Sequence, residues 1–304
     1  LAGTNEPPDY AITSPNSWNR SNCITRAATE EPGMSGMSIV TYDRHIELDI
    51  KTKEPFDRIW AFHHREAPLL TVPDSLSDGI CCPALDNDEM TLIPLSRPVE
   101  QIRLCASVAD SSFAHSAFYG FSLENGRSGV LYHSFGINGN TYAAINRNPQ
   151  IVRQASGLCP DLVIVSLGTN DSYGASFDPA DADVQITRLI DSIRRNMPAS
   201  VLLLTTPMEH CRRIRSKGRT YRKPNPNACA MRECILRQAA LYRLPVWDFY
   251  AAAGGDGAMG RWADLGIANA DRVHLSREGY RLQGKLFYDA IMKAYDHYRK
   301  HNGE

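Results

Sequence analysis

Two short stretches hold the side chains whose types and spacing could do chemistry. In Asp271-Arg272-Val273-His274 a carboxylate precedes a histidine by three positions. A carboxylate can orient an imidazole while the ring takes a proton from a hydroxyl, which is the general-base half of a Ser-His-Asp arrangement. In Gly168-Thr169-Asn170-Asp171 a glycine turn after an apolar run presents a side-chain amide, and Gly139 in the loop Gly136-Ile137-Asn138-Gly139-Asn140 offers an unobstructed backbone N–H. Asn170 and Gly139 together would donate to the oxyanion of an acyl-transfer intermediate. Taken singly, each has a blander reading. An isolated Asp-x-x-His is more often a loop cap beside a satisfied histidine, and a glycine turn is more often only a turn.

The elements that must position these groups follow from hydrophobic period. Residues 1–31 are rich in Asn, Pro, Ser and Thr and read as irregular connection. From 32 to 125 short alternating runs (37–41, 45–50, 58–63, 69–72, 90–93, 99–105 and 117–123) are punctuated by turn residues, which predicts an antiparallel β-sandwich of seven or eight strands. After 125 the pattern changes to α/β. Strands are expected at 129–135, 162–167, 201–206 and 246–248, alternating with helices at 149–157, 180–196, 227–242 and 276–298. Such alternation predicts a parallel sheet covered on both faces, with chemistry at the carboxyl ends of the strands, where the stretches above fall. The expected domains are therefore an irregular segment (1–31), a sandwich (32–125) and an α/β domain (126–304).

The chain has 304 residues, 43% of them hydrophobic, and a net charge of −1. It can bury a large core, and its overall charge does not call for nucleic acid or an anionic membrane. No apolar window is long enough to span a bilayer and no signal-peptide pattern opens the sequence, so it reads as soluble and already mature or trimmed. Eight cysteines without CxxC spacing suggest free thiols, with a Cys211–Cys229 bridge as the alternative. No cofactor or metal is expected. His63 and His64 alternate along a strand and cannot readily share an ion, and His133 and His210 read as structural or surface histidines.

The ordered set of Gly139, Gly168-x-Asn170-Asp171 and Asp271-x-x-His274 resembles blocks of the SGNH (GDSL-like) hydrolases. Phe121 to Gly126, Trp247-Asp248-Phe249-Tyr250, Gly254-Gly255 and Gly279-Tyr280 are similar to secreted bacterial carbohydrate and peptidoglycan O-acetylesterases. The resemblance spans about 115–298. It implies a three-layer α/β/α flavodoxin-like fold with an inserted antiparallel β-sandwich, a secreted, periplasmic or cell-surface location, and O-acetyl ester hydrolysis on a saccharide. In those roles His274 is the base, Asp271 its orienter, and Gly139 and Asn170 the oxyanion donors.

The family's first block, a strand running into Gly-Asp-Ser at a helix N-terminus, has no close counterpart here. Leu69 to Asp78 resembles it with Pro73 in place of glycine, which makes Ser75 a candidate nucleophile. The residues after Ser75 lack a helical pattern, and Leu1-Ala2-Gly3-Thr4-Asn5 resembles the segment that follows the first block. The expectation therefore favours a nucleophile preceding Leu1.

Two further features bear on the substrate. Residues 211–223 form a loop with Arg212, Arg213, Arg215, Lys217, Arg219, Arg222 and Lys223, which could bind an acidic glycan, line the substrate groove, or simply be solvated. Tyr221 is the loop's one aromatic, too few for nucleic-acid stacking. Trp262 and Tyr173 could stack on a sugar face. The partner is then an acetylated saccharide or another small ester. The competing expectation is a catalytically inactive glycan-binding protein on the same fold, and nothing in the sequence speaks to oligomeric state.

Overall fold

A computed structural model describes residues 9–25, 30–78, 82–83, 89–109 and 113–302. They fall into two compact units, Asn5–Asn140 with Arg147–Pro160, and Thr141–Asn146 with Asp161–Glu304.

In the first unit, alternation along the chain builds an antiparallel sheet from β1 (Tyr10–Thr13), β2 (Asn19–Asn22), β3 (Met37–Thr41), β4 (His45–His63), β5 (Cys82–Pro83), β6 (Met90–Ser107) and β7 (Ser116–Glu124). The order is β2-β3-β7-β4-β6-β5, with β1 also paired to β4. Ile46, Leu48 and Ile50 point inward and are fully buried, while Asp49 on the other face takes two hydrogen bonds from Arg103 at 2.8 and 2.9 Å. Two of the expected strand pairs are each a single long strand, β4 and β6, whose register shifts between Lys51 and Arg58. Among the described residues the strands thus form one seven-stranded sheet in place of two separately hydrogen-bonded ones. Both ends of β4 and β6 contribute to one apolar cluster with Leu70 and Leu76. The strand expected at 69–72 is reduced to a bridge from Thr71 to Cys105. The helix α2 (Gln150–Ala155) also belongs to this unit, where Gln154 donates to Glu89 and accepts from the Met34 N–H.

The second unit carries a parallel sheet of β8 (Leu162–Ser166), β9 (Val201–Thr205) and β12 (Val246–Trp247), ordered β12-β9-β8. Around it are α1 (Tyr142–Asn146), α3 (Thr169–Tyr173), α4 (Pro179–Asn196), α5 (Pro226–Tyr242), α6 (Phe249–Ala252), α7 (Ala258–Asp264) and α8 (Arg277–Asn302). Helix α4 begins where Asp178 accepts from the Ala180 N–H and Pro179 presets the first turn; Ile186, Leu189, Ile190 and Ile193 bury one stripe. Each such burial contributes roughly 1.5–3 kcal/mol. Helix α5 starts the same way, from Asn225 and Pro226.

Two expectations change here. The fourth parallel strand, at 129–135, does not form: among the described residues the segment has no regular secondary structure and pairs with no strand, and Val130 is 94% exposed. A strand needs a hydrogen-bonded neighbour, and an apolar run alone does not supply one. The basic loop is in fact a two-stranded hairpin, β10 (Cys211–Ser216) with β11 (Arg219–Pro224). Lys217 (φ 48°) and Gly218 (φ 75°) form its two-residue turn, the left-handed pair that matches strand twist.

Candidate active site

The dyad is made by a turn that folds back on itself. Asp271 Oδ1 accepts the backbone N–H of Val273 (2.9 Å) and of His274 (3.0 Å), and Oδ2 meets His274 Nδ1 at 2.7 Å. Arg272 at φ 54° allows the reversal. The Asn269 N–H to the His274 carbonyl (2.8 Å) and a bridge between Ala268 and the buried Leu275 close the loop beneath it. Burial pulls the Asp271 carboxyl upward, but the hydrogen bonds from the His274 ring and from the backbone N–H groups of His274 and Val273 outweigh it, so its pKa is lowered. The result is an ionised orienter that fixes the ring with Nδ1–H toward the carboxylate. The His274 side chain is 66% exposed, and its Nε2 makes no hydrogen bond among the described residues. That nitrogen is open to a substrate-side proton.

Asn170 lies exposed at the second position of α3, directly after the carboxyl end of β8. The turn needs Gly168, whose φ is 115° and whose absent Cβ would lie 3.1 Å from Met231 Cγ. Asp171 does a different job: its Oδ1 accepts the Tyr142 N–H at 2.9 Å and so fastens the start of α1. Its Oδ2 and the Tyr142 hydroxyl are both buried without a hydrogen-bond partner among the described residues. Burial raises the Asp171 carboxyl to about 6, against the opposing pull of the Tyr142 N–H.

A buried polar chain, not foreseen as a unit, joins α3 to the dyad loop. The Asn225 side chain donates to the Ser172 carbonyl (2.8 Å) and lies 3.2 Å from His210 Nε2, while its N–H bonds the His210 carbonyl at 2.9 Å. Cys211 follows, and its N–H donates to the Arg272 carbonyl at 2.8 Å. His210 stacks on Tyr173 with ring centroids 6.1 Å apart. Burial lowers the His210 pKa and keeps the ring neutral in this role, as befits a structural histidine. The signal that could have found Asn225 is its place before Pro226, a helix N-cap signature.

The remaining expected residues are placed as follows. Trp262 is 7% exposed and gives its indole N–H to the Ala253 carbonyl at 3.0 Å, so it is a core residue and not a stacking platform, correcting that expectation. Tyr173 is 38% exposed beside His210. Gly139 (φ 85°) and Ser75 belong to the antiparallel unit. Ser75 is exposed in a turn, and Ser77, two residues on, bridges to Leu95 in β6. Cys211 and Cys229 are free thiols. Among the described residues no three His, Cys, Asp or Glu side chains converge to hold a metal, and no helix is long and apolar enough to cross a membrane.

Residues 109–282 match the profile of the GDSL-like Lipase/Acylhydrolase family. A solved structure described as a peptidoglycan O-acetylesterase is similar with a TM-score of 0.72 at 18% identity, covering 97% of this chain and 79% of that one. An acetyl xylan esterase (18% identity, TM-score 0.40) covers 51% of this chain and 78% of its own. A GDSL-like lipase from Bacteroides thetaiotaomicron (20% identity, TM-score 0.38) likewise covers 51% of this chain and 73% of its own. No curated protein matches the chain.

Proposed function

The chain belongs to the GDSL-like lipase/acylhydrolase family, and from that premise we propose that this SGNH-type esterase removes O-acetyl groups from a saccharide by Ser-His-Asp chemistry. The observation that carries the reading is the dyad: an ionised Asp271 oriented on His274 Nδ1 at 2.7 Å, with Nε2 open. In this reading His274 takes the serine proton during attack on the acetyl carbonyl and returns it to the departing sugar oxygen. Asp271 holds the tautomer and stabilises the imidazolium between those steps. Asn170 donates to the oxyanion, and Tyr173 lines the acceptor side. Ser75 fits the nucleophile role poorly, because it is followed by a bridge to the sheet and not by the helix that a nucleophile turn feeds. The similarity to a structure described as a peptidoglycan O-acetylesterase supports a saccharide ester and an extracellular or periplasmic site of action.

The test is acetate release from an O-acetylated polysaccharide by the full-length protein. Turnover lost in His274→Ala, with a fluorophosphonate label mapping to a serine other than Ser75, is the expected result. Undiminished turnover in His274→Ala sinks the mechanism, and a label on Ser75 moves the nucleophile there.

A further inference from the structure

We propose that the hairpin β10–β11 is an anion-binding arm of the same site, and that the saccharide it serves carries repeated carboxylate groups. This rests on the esterase reading above and names its substrate class.

The hairpin is tied at both ends of its base to the groups that would do the chemistry. Cys211 bonds the Arg272 carbonyl inside the dyad loop, and Asn225, just past the last strand residue, bonds Ser172 in the helix that carries Asn170. The base is buried, with Cys211 and Asn225 each 2% exposed. Beyond it the arm enters solvent with seven cations, Arg212, Arg213, Arg215, Lys217, Arg219, Arg222 and Lys223, and no acidic residue between Cys211 and Pro224. The whole chain is net −1, so this charge is concentrated and not general.

The register makes the concentration costly to the free protein. Arg212 faces Lys223 and Arg213 faces Arg222 across the two strands, and like charges directly opposite destabilise a pair that has no third strand to support it. None of the seven forms an ion pair with any described residue. An anion lying along the ribbon relieves that repulsion. Cross-strand partners share a face, so Arg213, Arg222 and Arg215 project on the side of Cys211, which packs with Leu275 next to the catalytic histidine. The Cys211 thiol, raised by burial, is pulled back by the Arg272 and Arg222 charges, which places both guanidinium groups near the base. A polymer threading from the tip of the arm to His274 would pass Arg215 first and meet Arg213 and Arg222 last, nearest the base. Tyr221, 44% exposed on the opposite face, is the arm's single aromatic. One ring cannot stack successive bases, which disfavours nucleic acid.

The experiment compares an O-acetylated polyuronate with the same polymer after its carboxyl groups are reduced to alcohols, using the full-length protein. The expected kcat/KM ratio favours the charged polymer by about tenfold or more at low ionic strength and falls steeply with salt. In Arg213→Gln/Arg222→Gln the ratio drops toward one, and Arg215→Gln alone shifts it less in the same direction, with near-ultraviolet circular dichroism confirming that each variant is folded. Binding of the unacetylated polyuronate, measured by calorimetry, follows the same order and needs no turnover. A ratio near one in the parent protein, or one the variants leave unchanged, overturns the proposal while the esterase reading stands. Absent turnover together with variant-sensitive polyuronate binding overturns the esterase reading and leaves the arm. Tighter binding of polyphosphate or of a single-stranded oligonucleotide than of the polyuronate overturns the carboxylate assignment.

Discussion

The Cys211 N–H donates to the Arg272 carbonyl at 2.8 Å, so the first residue of the cationic hairpin and the left-handed residue inside the Asp-x-x-His turn are held by one hydrogen bond. Arg272 is where the chain reverses to bring Asp271 under His274. The Cys211 bond caps the carbonyl of that residue, so the geometry of the Asp271–His274 pair depends on the segment next to it and not only on its own four residues.

Asp271→Asn separates the electrostatic from the structural part of the dyad. The amide oxygen can still accept the N–H groups of Val273 and His274, so the turn survives. What goes is the negative charge that fixes the tautomer and stabilises the imidazolium. General-base assistance is worth about 10²- to 10⁴-fold, and kcat on p-nitrophenyl acetate should fall within that span while the melting temperature barely moves. A kcat within about threefold of the parent would show that Asp271 only caps the loop.

Asn225→Ala tests the polar chain. The change removes an N-cap, typically about 1 kcal/mol, and leaves the buried Ser172 carbonyl without its 2.8 Å donor, about 1–3 kcal/mol more. Urea denaturation should show a loss of roughly 2–4 kcal/mol. A loss under about 1 kcal/mol would mean that water or His210 replaces the amide.

How much of this was legible in the sequence depended on range. The dyad was, because three residues and a local turn suffice to bring Asp271 to His274. Helices α4 and α5 were, because Asp178-Pro179 and Asn225-Pro226 announce their starts. The continuity of β4 and β6 was not: Pro55 and Pro98 look like strand breakers, yet both fall where the register shifts and no ladder N–H is required. The hairpin was hidden by its charge, since only Ile214 opposite Tyr221 carries an apolar alternation. The segment 129–135 was over-read, because period describes what a strand would bury and not whether a partner is beside it. The link from Asn225 through His210 to the dyad loop was invisible for the same reason: it is tertiary.

Gly168→Ala probes the turn that presents Asn170. At φ 115° an alanine is strained, and its Cβ would press on Met231 Cγ at 3.1 Å and Pro207 Cδ at 3.3 Å. Backbone strain of this type costs about 1–3 kcal/mol. Stability should fall by that amount, and kcat should fall with it as Asn170 shifts, while KM changes little if the amide acts on the transition state alone. A rise in KM with kcat intact would make Asn170 a ground-state binding group and remove it from the oxyanion assignment.

Asp171 supplies a pH dependence whose sign is fixed by its burial. Its carboxyl titrates at about 6 in the folded protein against 3.8 for an ordinary aspartate, so the folded state holds the proton more tightly. The stability this group contributes is therefore present in full below about pH 4 and is lost as pH rises through 6, by on the order of 3 kcal/mol in total. Asp171→Asn keeps an acceptor for the Tyr142 N–H, found at 2.9 Å, and puts a neutral amide where the buried, unpartnered Oδ2 stands. The difference in unfolding free energy between parent and variant isolates this residue from every other titrating group. It should be small at pH 4, grow mainly between pH 4 and 6 in favour of the variant, and level off by about pH 7. A flat difference across that range would mean that the carboxylate is solvated in the folded protein, and that Asp171 holds α1 without being penalised for its charge.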